Sequence, residues 1–316
     1  MNRFRGTPAL VLLLSAGCFA HQYRANLRVA IVDGDAIVQM KPPGEMPAAL
    51  EAPLVPAEKH SDRPDELERV IGLVLVSGPR AYPIGLLDRF EVVNDQSEDV
   101  PFVVARCALT GVVAIYSRRV DGRILSFENS GALWRDTLVL RDRETGTYWT
   151  AATGRALAGS LAGARLDPIP AWVTRAEVWD RAYPRSLYLD LDRSTAVPLV
   201  MRLYEASPAQ GVSGAQTSDR RYKPKQELFA LRDGDDALAL TSREVRDHAP
   251  ISTILDGRRI TIEWDGTLET PRAYGEAPGR EELTLVPMYW FALDRHFTTI
   301  RTFADVVPKD SSSETR

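Results

Sequence analysis

Apolar and polar positions alternate along this chain in short runs that turn residues interrupt, and the pattern is densest between Ile71 and Phe127. An apolar strand is predicted over Ile71 to Val76, followed by a turn at Ser77-Gly78-Pro79 and the run Arg80-Ala81-Tyr82-Pro83. A polar cluster, Glu91-Val-Val-Asn94-Asp95, precedes a second apolar strand, Phe102 to Arg106, which ends at Cys107-Ala-Leu-Thr110-Gly111. Val112 to Ser117 and Arg123 to Phe127 flank Asp121-Gly122, a dipeptide that supplies the positive φ angles of a hairpin turn. Further hairpins are expected at 137–151, around Asp233-Gly234 and around Asp256-Gly257. Thr174 to Ala182 predicts a short helix ended by Pro184, and Ser186 to Leu191 a strand. Gly154, Gly159 and Gly163 predict turns, because each glycine would cost a helix about 1 kcal/mol. The fold class is therefore mainly β (α+β), with antiparallel sheets packed face to face.

The second half reads as a diverged copy of the first. Gly78 to Leu86 sets beside Gly234 to Ser242 (234 − 78 = 156), and Asp99 to Val103 beside Asp256 to Ile260 (256 − 99 = 157). Arg181 to Pro184 sets beside Asp294 to Phe297, each before a closing strand. On that alignment Arg80 becomes Asp236 and Cys107 becomes Trp264, so the polar group belongs to the first copy. The implied organisation is a first repeat over 67–192 carrying the polar site, a linker over 193–222, a degenerate repeat over 223–304 and a disordered tail over 305–316. Residues 19–66 are expected to be an extended tether; 25–38 alternates like a strand or hairpin, and 41–66 is rich in Pro, Glu and Ala.

The first eighteen residues change the picture of where such a protein works. Arg3 and Arg5, an apolar core over Ala9 to Leu14 and the small residues Ser15-Ala16-Gly17 before Cys18 form an export signal. The Cys position is that of a lipobox, with Ser15 where Leu is usual; ordinary cleavage near Gly17 or Ala20 is the alternative. Lipidation at Cys18 would make the membrane a partner, through the anchor, and give a periplasmic or cell-surface address. Cys107 would then be the only thiol of the mature chain. A net charge of −4 with interspersed signs argues against nucleic acid as a partner.

The ordered set Arg80-Ala81-Tyr82-Pro83, Glu91, Asn94-Asp95, Cys107, Leu109-Thr110-Gly111, Ser130-Gly131, Asp142-Arg143-Glu144-Thr145, Trp149 and Tyr183-Pro184 resembles the pattern of the bacterial domain-of-unknown-function family 3179. The resemblance covers roughly 70 to 190 and implies an architecture more than an activity. Phe90 stands where the family has His, and Ala108 where it has Pro. Many members carry a second Cys at the position of Thr110, a pair suited to redox or metal chemistry.

Two functions remain open at this point. In one, the chain is a binding or scaffold module of the cell envelope, with a polar pocket around Arg80, Glu91 and Cys107. Tyr82, Asn94, Asp95, Thr110, Ser130, Arg143 and Trp149 would line that pocket for a small ligand or a protein partner. In the other, it is a thiol-dependent redox or metal-dependent enzyme, with Cys107 reactive, Arg80 stabilising the thiolate and Glu91 shuttling a proton. Alternation puts Cys107 with Val103 and Ala105, which favours a buried, inert thiol, whereas the break at Thr110-Gly111 favours a sheet edge beside Arg80. The pattern names no cofactor. The four histidines, His21, His60, His248 and His296, show no ligand spacing, so a metal on Cys107 would have to borrow His248 or His296. Ser130 lacks a nucleophile elbow, and Trp149, Trp172, Trp179, Trp264 and Trp290 read as core.

Overall fold

The computed structural model of the chain describes residues 30–32, 36–60, 68–191, 199–276 and 279–307. The segment expected to be an export signal, with Cys18, most of the hairpin expected over 25–38 and the end of the tail expected from 305 lie outside them.

Strands β1 (Ile37–Gln39) and β2 (Leu54–Pro56) come first. The first copy then runs through β3 (Arg69–Leu75), β4 (Gly78–Pro83), helix α1 (Ile84–Leu87), β5 (Val92–Ser97), β6 (Val100–Cys107) and β7 (Val112–Ser117). Six strands follow: β8 (Arg119–Val120), β9 (Arg123–Ile124), β10 (Phe127–Trp134), β11 (Thr137–Asp142), β12 (Tyr148–Thr150) and β13 (Ala156–Ala158). The copy closes with β14 (Trp172–Arg175), α2 (Ala176–Ala182) and β15 (Leu187–Leu189). Helix α3 (Leu199–Ala206) leads to the second copy: β16 (Glu227–Asp233), β17 (Asp236–Leu240), α4 (Ser242–His248), β18 (Ile251–Leu255), β19 (Arg258–Asp265) and β20 (Thr270–Gly275). Last come β21 (Glu282–Leu283), β22 (Val286–Tyr289), α5 (Trp290–His296), β23 (Ile300–Arg301) and α6 (Phe303–Val306).

The two copies have the same strand order. β14-β3-β4-β15 in the first matches β22-β16-β17-β23 in the second, and the meander β5-β6-β7 matches β18-β19-β20. In both sheets the last pair is parallel, β4 with β15 and β17 with β23, while the others are antiparallel. Strand starts fix the offset at 227 − 69 = 158, 258 − 100 = 158 and 270 − 112 = 158. Left-handed backbone recurs at the same spacing, Glu98 with Asp256 (both φ 48) and Gly111 (φ 74) with Glu269 (φ 51). The offsets of 156 and 157, read by setting Gly78 beside Gly234 and Asp99 beside Asp256, are thus corrected to 158. Counterparts shift accordingly: Leu238 stands for Arg80 and Asp265 for Cys107.

The closing elements are offset by only 286 − 172 = 114, so the first copy carries 158 − 114 = 44 extra residues. That insert holds β8 to β13, including the sheet β10-β11-β12-β13. The structure also changes the hairpin expected across Asp121-Gly122. β7 pairs with β6, from Phe102 opposite Ser117 to Cys107 opposite Val112. Asp121-Gly122 joins only the two-residue strands β8 and β9. A buried apolar strand gains more from a long central neighbour than from a short one, and turn chemistry does not override that.

β6 is buried on both faces. Phe102 and Val104 pack with Ile71, Leu73, Tyr82 and Leu87 of the first copy. Val103, Ala105 and Cys107 pack on the other side with Leu228, Ala230, Met288, Trp290 and Phe291 of the second. The copies therefore share a core. The segment expected as a tether is extended but lies against the first copy. β1 pairs with β10, Ala49 bridges Val93 and β2 pairs with β15. Residues 207–222 have no helix or strand, as a linker should, but α3 before them went unread in the sequence.

Candidate functional site

The residues singled out in the sequence fall into two groups on opposite sides of β6. Arg80 and Tyr82 point from β4 toward Asp95 on β5. Arg80 Nη1 donates to Asp95 Oδ1 at 2.7 Å and to the Gln96 carbonyl at 3.0 Å, and the Tyr82 hydroxyl donates to Asp95 Oδ2. Burial lowers the Arg80 pKa but Asp95 outweighs it, so the guanidinium is held charged; burial, then Asp95, drives the Tyr82 phenol well upward. Asn94 ties three segments: its amide donates to the carbonyls of Ala49 (3.0 Å) and Phe127 (2.7 Å), and its oxygen accepts from the Phe127 amide (2.8 Å). These groups are buried and their hydrogen bonds are made inside the fold.

The insert treats its polar residues similarly. Asp142 accepts from the Thr145 amide (2.6 Å) and hydroxyl (2.8 Å) and from Trp149 Nε1 (2.9 Å), and Trp149 is fully buried edge-on to Phe127. The Ser130 hydroxyl donates to the Val139 carbonyl at a bulge in β10. Arg143 is exposed, 3.8 Å from Glu128.

Cys107 sits in the second group, about 16 Å along β6 from Phe102, over whose ring the Arg80 guanidinium lies. Cys107 and Phe102 also face opposite sides of the sheet. Arg80 is therefore not the neighbour of the thiol that the sequence suggested. Cys107 is 1 % exposed, its sulfur accepts from the Leu138 amide at 3.3 Å, and its S–H faces the Asp136 carbonyl at 3.8 Å. Burial, and next the charge of Glu91, push the thiol pKa up.

Glu91 does lie beside Cys107, as expected. Its residue keeps partial exposure, but the carboxylate is enclosed and accepts from Asn129 Nδ2 at 2.6 Å. Burial raises its pKa to about 7, with Asn129 and Arg106 opposing and Asp88 adding to the rise. Arg106 is clamped between Asp88 Oδ1 (2.8 Å) and the Gly111 carbonyl (2.8 Å).

On the other side a hydrogen-bond chain reaches the second copy. Thr137 Oγ1 donates to Thr110 Oγ1 at 3.3 Å and lies 2.7 Å from His296 Nε2, and Thr110, three residues on from Cys107, acts to lower the thiol pKa against the larger effect of burial. Burial, then Arg135 and Arg295, holds His296 neutral with a pKa of about 3. A neutral imidazole that donates from Nε2 leaves the Thr137 hydroxyl free to donate to Thr110. Tyr204 of α3 and the strap that follows it, residues 207–222, close the end. The Tyr204 hydroxyl donates to the Leu109 carbonyl at 2.6 Å. Asp136 accepts from the amides of Val212 (2.7 Å) and Ser213 (2.8 Å), from the Ser213 hydroxyl (2.6 Å), and from Arg295.

Thr137, Asn129, Asp136 and Tyr204 were not identified from sequence, because each acts where the insert or the strap meets the first copy; the Arg106–Asp88 pair depends instead on the end of α1 packing against β6. His296 was named only as a metal ligand that might have to be borrowed. Phe90, where the resembled family has His, packs in the apolar cluster of Ile71 and Leu87 beneath the Arg89 guanidinium, 5.3 Å away. Among the described residues no group of three His, Cys, Asp or Glu is placed to hold a metal ion. The sequence model of a family described as "protein of unknown function (DUF3179)" matches residues 43–313. No curated protein and no solved structure matches the chain.

Proposed function

The chain belongs to the DUF3179 family, and from that premise we propose that it is an exported module of the cell envelope that acts by binding or scaffolding and not by thiol chemistry. One observation carries this reading: the lone thiol of the described chain is buried, with its pKa raised. A thiol reacts as its thiolate, so neither access nor ionisation favours reaction in the native state. The motif residues Arg80, Tyr82, Asn94, Asp95 and Asp142 serve the scaffold, through hydrogen bonds made within it. Attachment to a membrane rests on the Cys18 signal in the sequence.

Thiol titration of native protein at neutral pH tests the reading. Cys107 is expected to react with a small alkylating agent only after denaturation; stoichiometric labelling of the folded chain overturns the proposal. Detergent partitioning tests the anchor, with Cys18→Ser expected to release the protein or stall its processing. One observation favours thiol-dependent chemistry as the second reading. The chain His296–Thr137–Thr110 ends three residues on from Cys107, and Glu91, with its pKa near 7, stands beside the thiol as a proton acceptor.

A further inference from the structure

A cleft of about 160 Å³ opens where the insert, β7 and the second copy meet. Tyr116, Met288 and Phe297 give it apolar walls, Thr153 and Thr284 contribute hydroxyls, and Arg232 reaches its rim from β16. Arg155 and Arg165, paired across an isolated bridge in the insert, stand beside Arg232. Burial and then the neighbouring arginines, Arg232 and Arg155, lower the Arg165 pKa. Asp235 is the carboxylate in this group, at 3.7 Å from Arg155 and 3.9 Å from Arg165, and its side chain is 75 % exposed. Neither contact is a hydrogen bond by distance. The Arg232 guanidinium has no hydrogen-bond or ion-pair partner among the described residues.

Structural arginines elsewhere in this chain behave differently. Arg80, Arg106 and Arg272 each have a carboxylate within 3.0 Å. The internal duplication gives a second contrast. The position equivalent to Arg232 in the first copy is 232 − 158 = 74, which is Val74, and Arg155 and Arg165 lie in the stretch that the second copy lacks. The fold therefore does not require this group, and it arises only where insert and second copy face each other.

We propose that the cleft is a binding site for a phosphate-bearing ligand, with Arg155, Arg165 and Arg232 holding the phosphate and the apolar walls taking the group it is attached to. Arg232 lines the cleft itself, and Arg155 and Arg165, both within 4 Å of Asp235 three residues farther along the chain, bring two more guanidinium forks to its neighbourhood; together they suit the oxygens of a phosphate, and a carboxylate would engage fewer of them. The ligand is small, or only the head of a larger molecule enters. The site gives the binding-module reading a ligand class and in that respect rests on it.

The full chain carrying Cys18→Ser, so that an anchor contributes nothing, is titrated at low salt with inorganic phosphate by calorimetry. The same protein is cosedimented with phosphatidylcholine vesicles, with and without phosphatidic acid. Saturable phosphate binding is expected, weakened about tenfold by Arg232→Gln and by Arg155→Gln and partly restored by Arg232→Lys. Arg243→Gln, at an exposed helix position, should leave it unchanged. Cosedimentation that needs phosphatidic acid and Arg232 assigns a lipid headgroup; binding of free phosphate alone assigns a soluble ligand. Circular dichroism shows that the variants are folded. Absence of saturable binding to either probe, or equal losses in Arg243→Gln and Arg232→Gln, overturns the site. An inert Cys107 with no anion binding removes this site alone, and a reactive Cys107 with anion binding intact removes the non-thiol reading alone.

Discussion

At the scale of single residues, the same types that suggested chemistry are the ones that lock the fold. Arg80, Tyr82 and Asp95 form a buried trio, and removing the shared carboxylate strands a guanidinium and a phenol together. Asp95→Ala is therefore expected to cost about 3–5 kcal/mol, read as a lower urea midpoint. Sequence put these residues in one pocket with Cys107 and could not tell a lock from a pocket, because a polar side chain has the same identity in either role and only the strand crossing decides. Glu91 gives a pH-dependent test. Its folded pKa of about 7 lies above the usual 4.5, so the folded chain keeps a proton that the unfolded chain releases. The Glu91 contribution to stability falls as pH rises from 4.5 to 7, by roughly 3 kcal/mol at most, and then levels. His296 acts in the opposite sense: with its pKa held at about 3 against 6.5, its contribution is lost as pH falls through that window. Glu91→Gln should remove the first slope and leave the second, measured as unfolding free energy across pH 4 to 8; an unchanged slope between 5 and 7 contradicts the assignment.

Among elements, hairpins were the most legible feature, since Asp233-Gly234 and Asp256-Gly257 do join adjacent strands. The bulge of β10 was not legible. Ser130-Gly131 reads locally as a turn, whereas here it lets the N-terminal segment approach: the amides of Met40 and Lys41 both donate to the Gly131 carbonyl, at 2.8 and 3.0 Å. Gly131 has φ +68, and a Cβ there would run into the Lys41 carbonyl oxygen. Gly122 has φ +74 with nothing within 4 Å of a Cβ. Both positions strain an L-residue, but only Gly131 also has a backbone atom in the way. Gly122→Ala should lose about 1 kcal/mol, and Gly131→Ala several times that, with earlier proteolysis between 40 and 60 as the segment lifts. Equal losses in the two variants would mean that segment 36–60 contributes nothing to stability.

For the whole molecule, duplication explains the frame and the insert explains the asymmetry. The repeat was visible in the order of hairpin, polar link, strand and closing motif, but its exact register was not, because the turn dipeptides differ between the copies: Asp256-Gly257 stands where the first copy has Glu98-Asp99. The boundaries of the 44-residue insert were not, because its strands have the same alternation as those around it. The insert then does what neither copy does alone: its β10–β11 turn, at Arg135 and Asp136 with φ of 52 and 62, carries a carboxylate into the junction of three bodies. Asp136 is 4 % exposed and receives two strap amides, a strap hydroxyl and Arg295 of α5. Arg295 in turn donates to the Gln210 (3.2 Å) and Ala215 (2.6 Å) carbonyls, so one ion pair holds the strap from both sides. Asp136→Ala leaves Arg295 without its carboxylate and two strap amides without an acceptor. The two copies keep their shared apolar core, so the loss should be local and not global. The strap is then expected to be cut by protease within 207–222 under conditions where the wild-type chain resists. The same release lifts Tyr204 from the Leu109 carbonyl beside Cys107, so alkylation of the thiol should accelerate in parallel with cleavage. Asp294→Ala, which removes only the Thr217 contact at the far end of the strap, should loosen residues near 217 without exposing the thiol. If both variants leave native Cys107 unreactive, the strap is not what excludes reagent, and exclusion belongs to β6 and its packing alone.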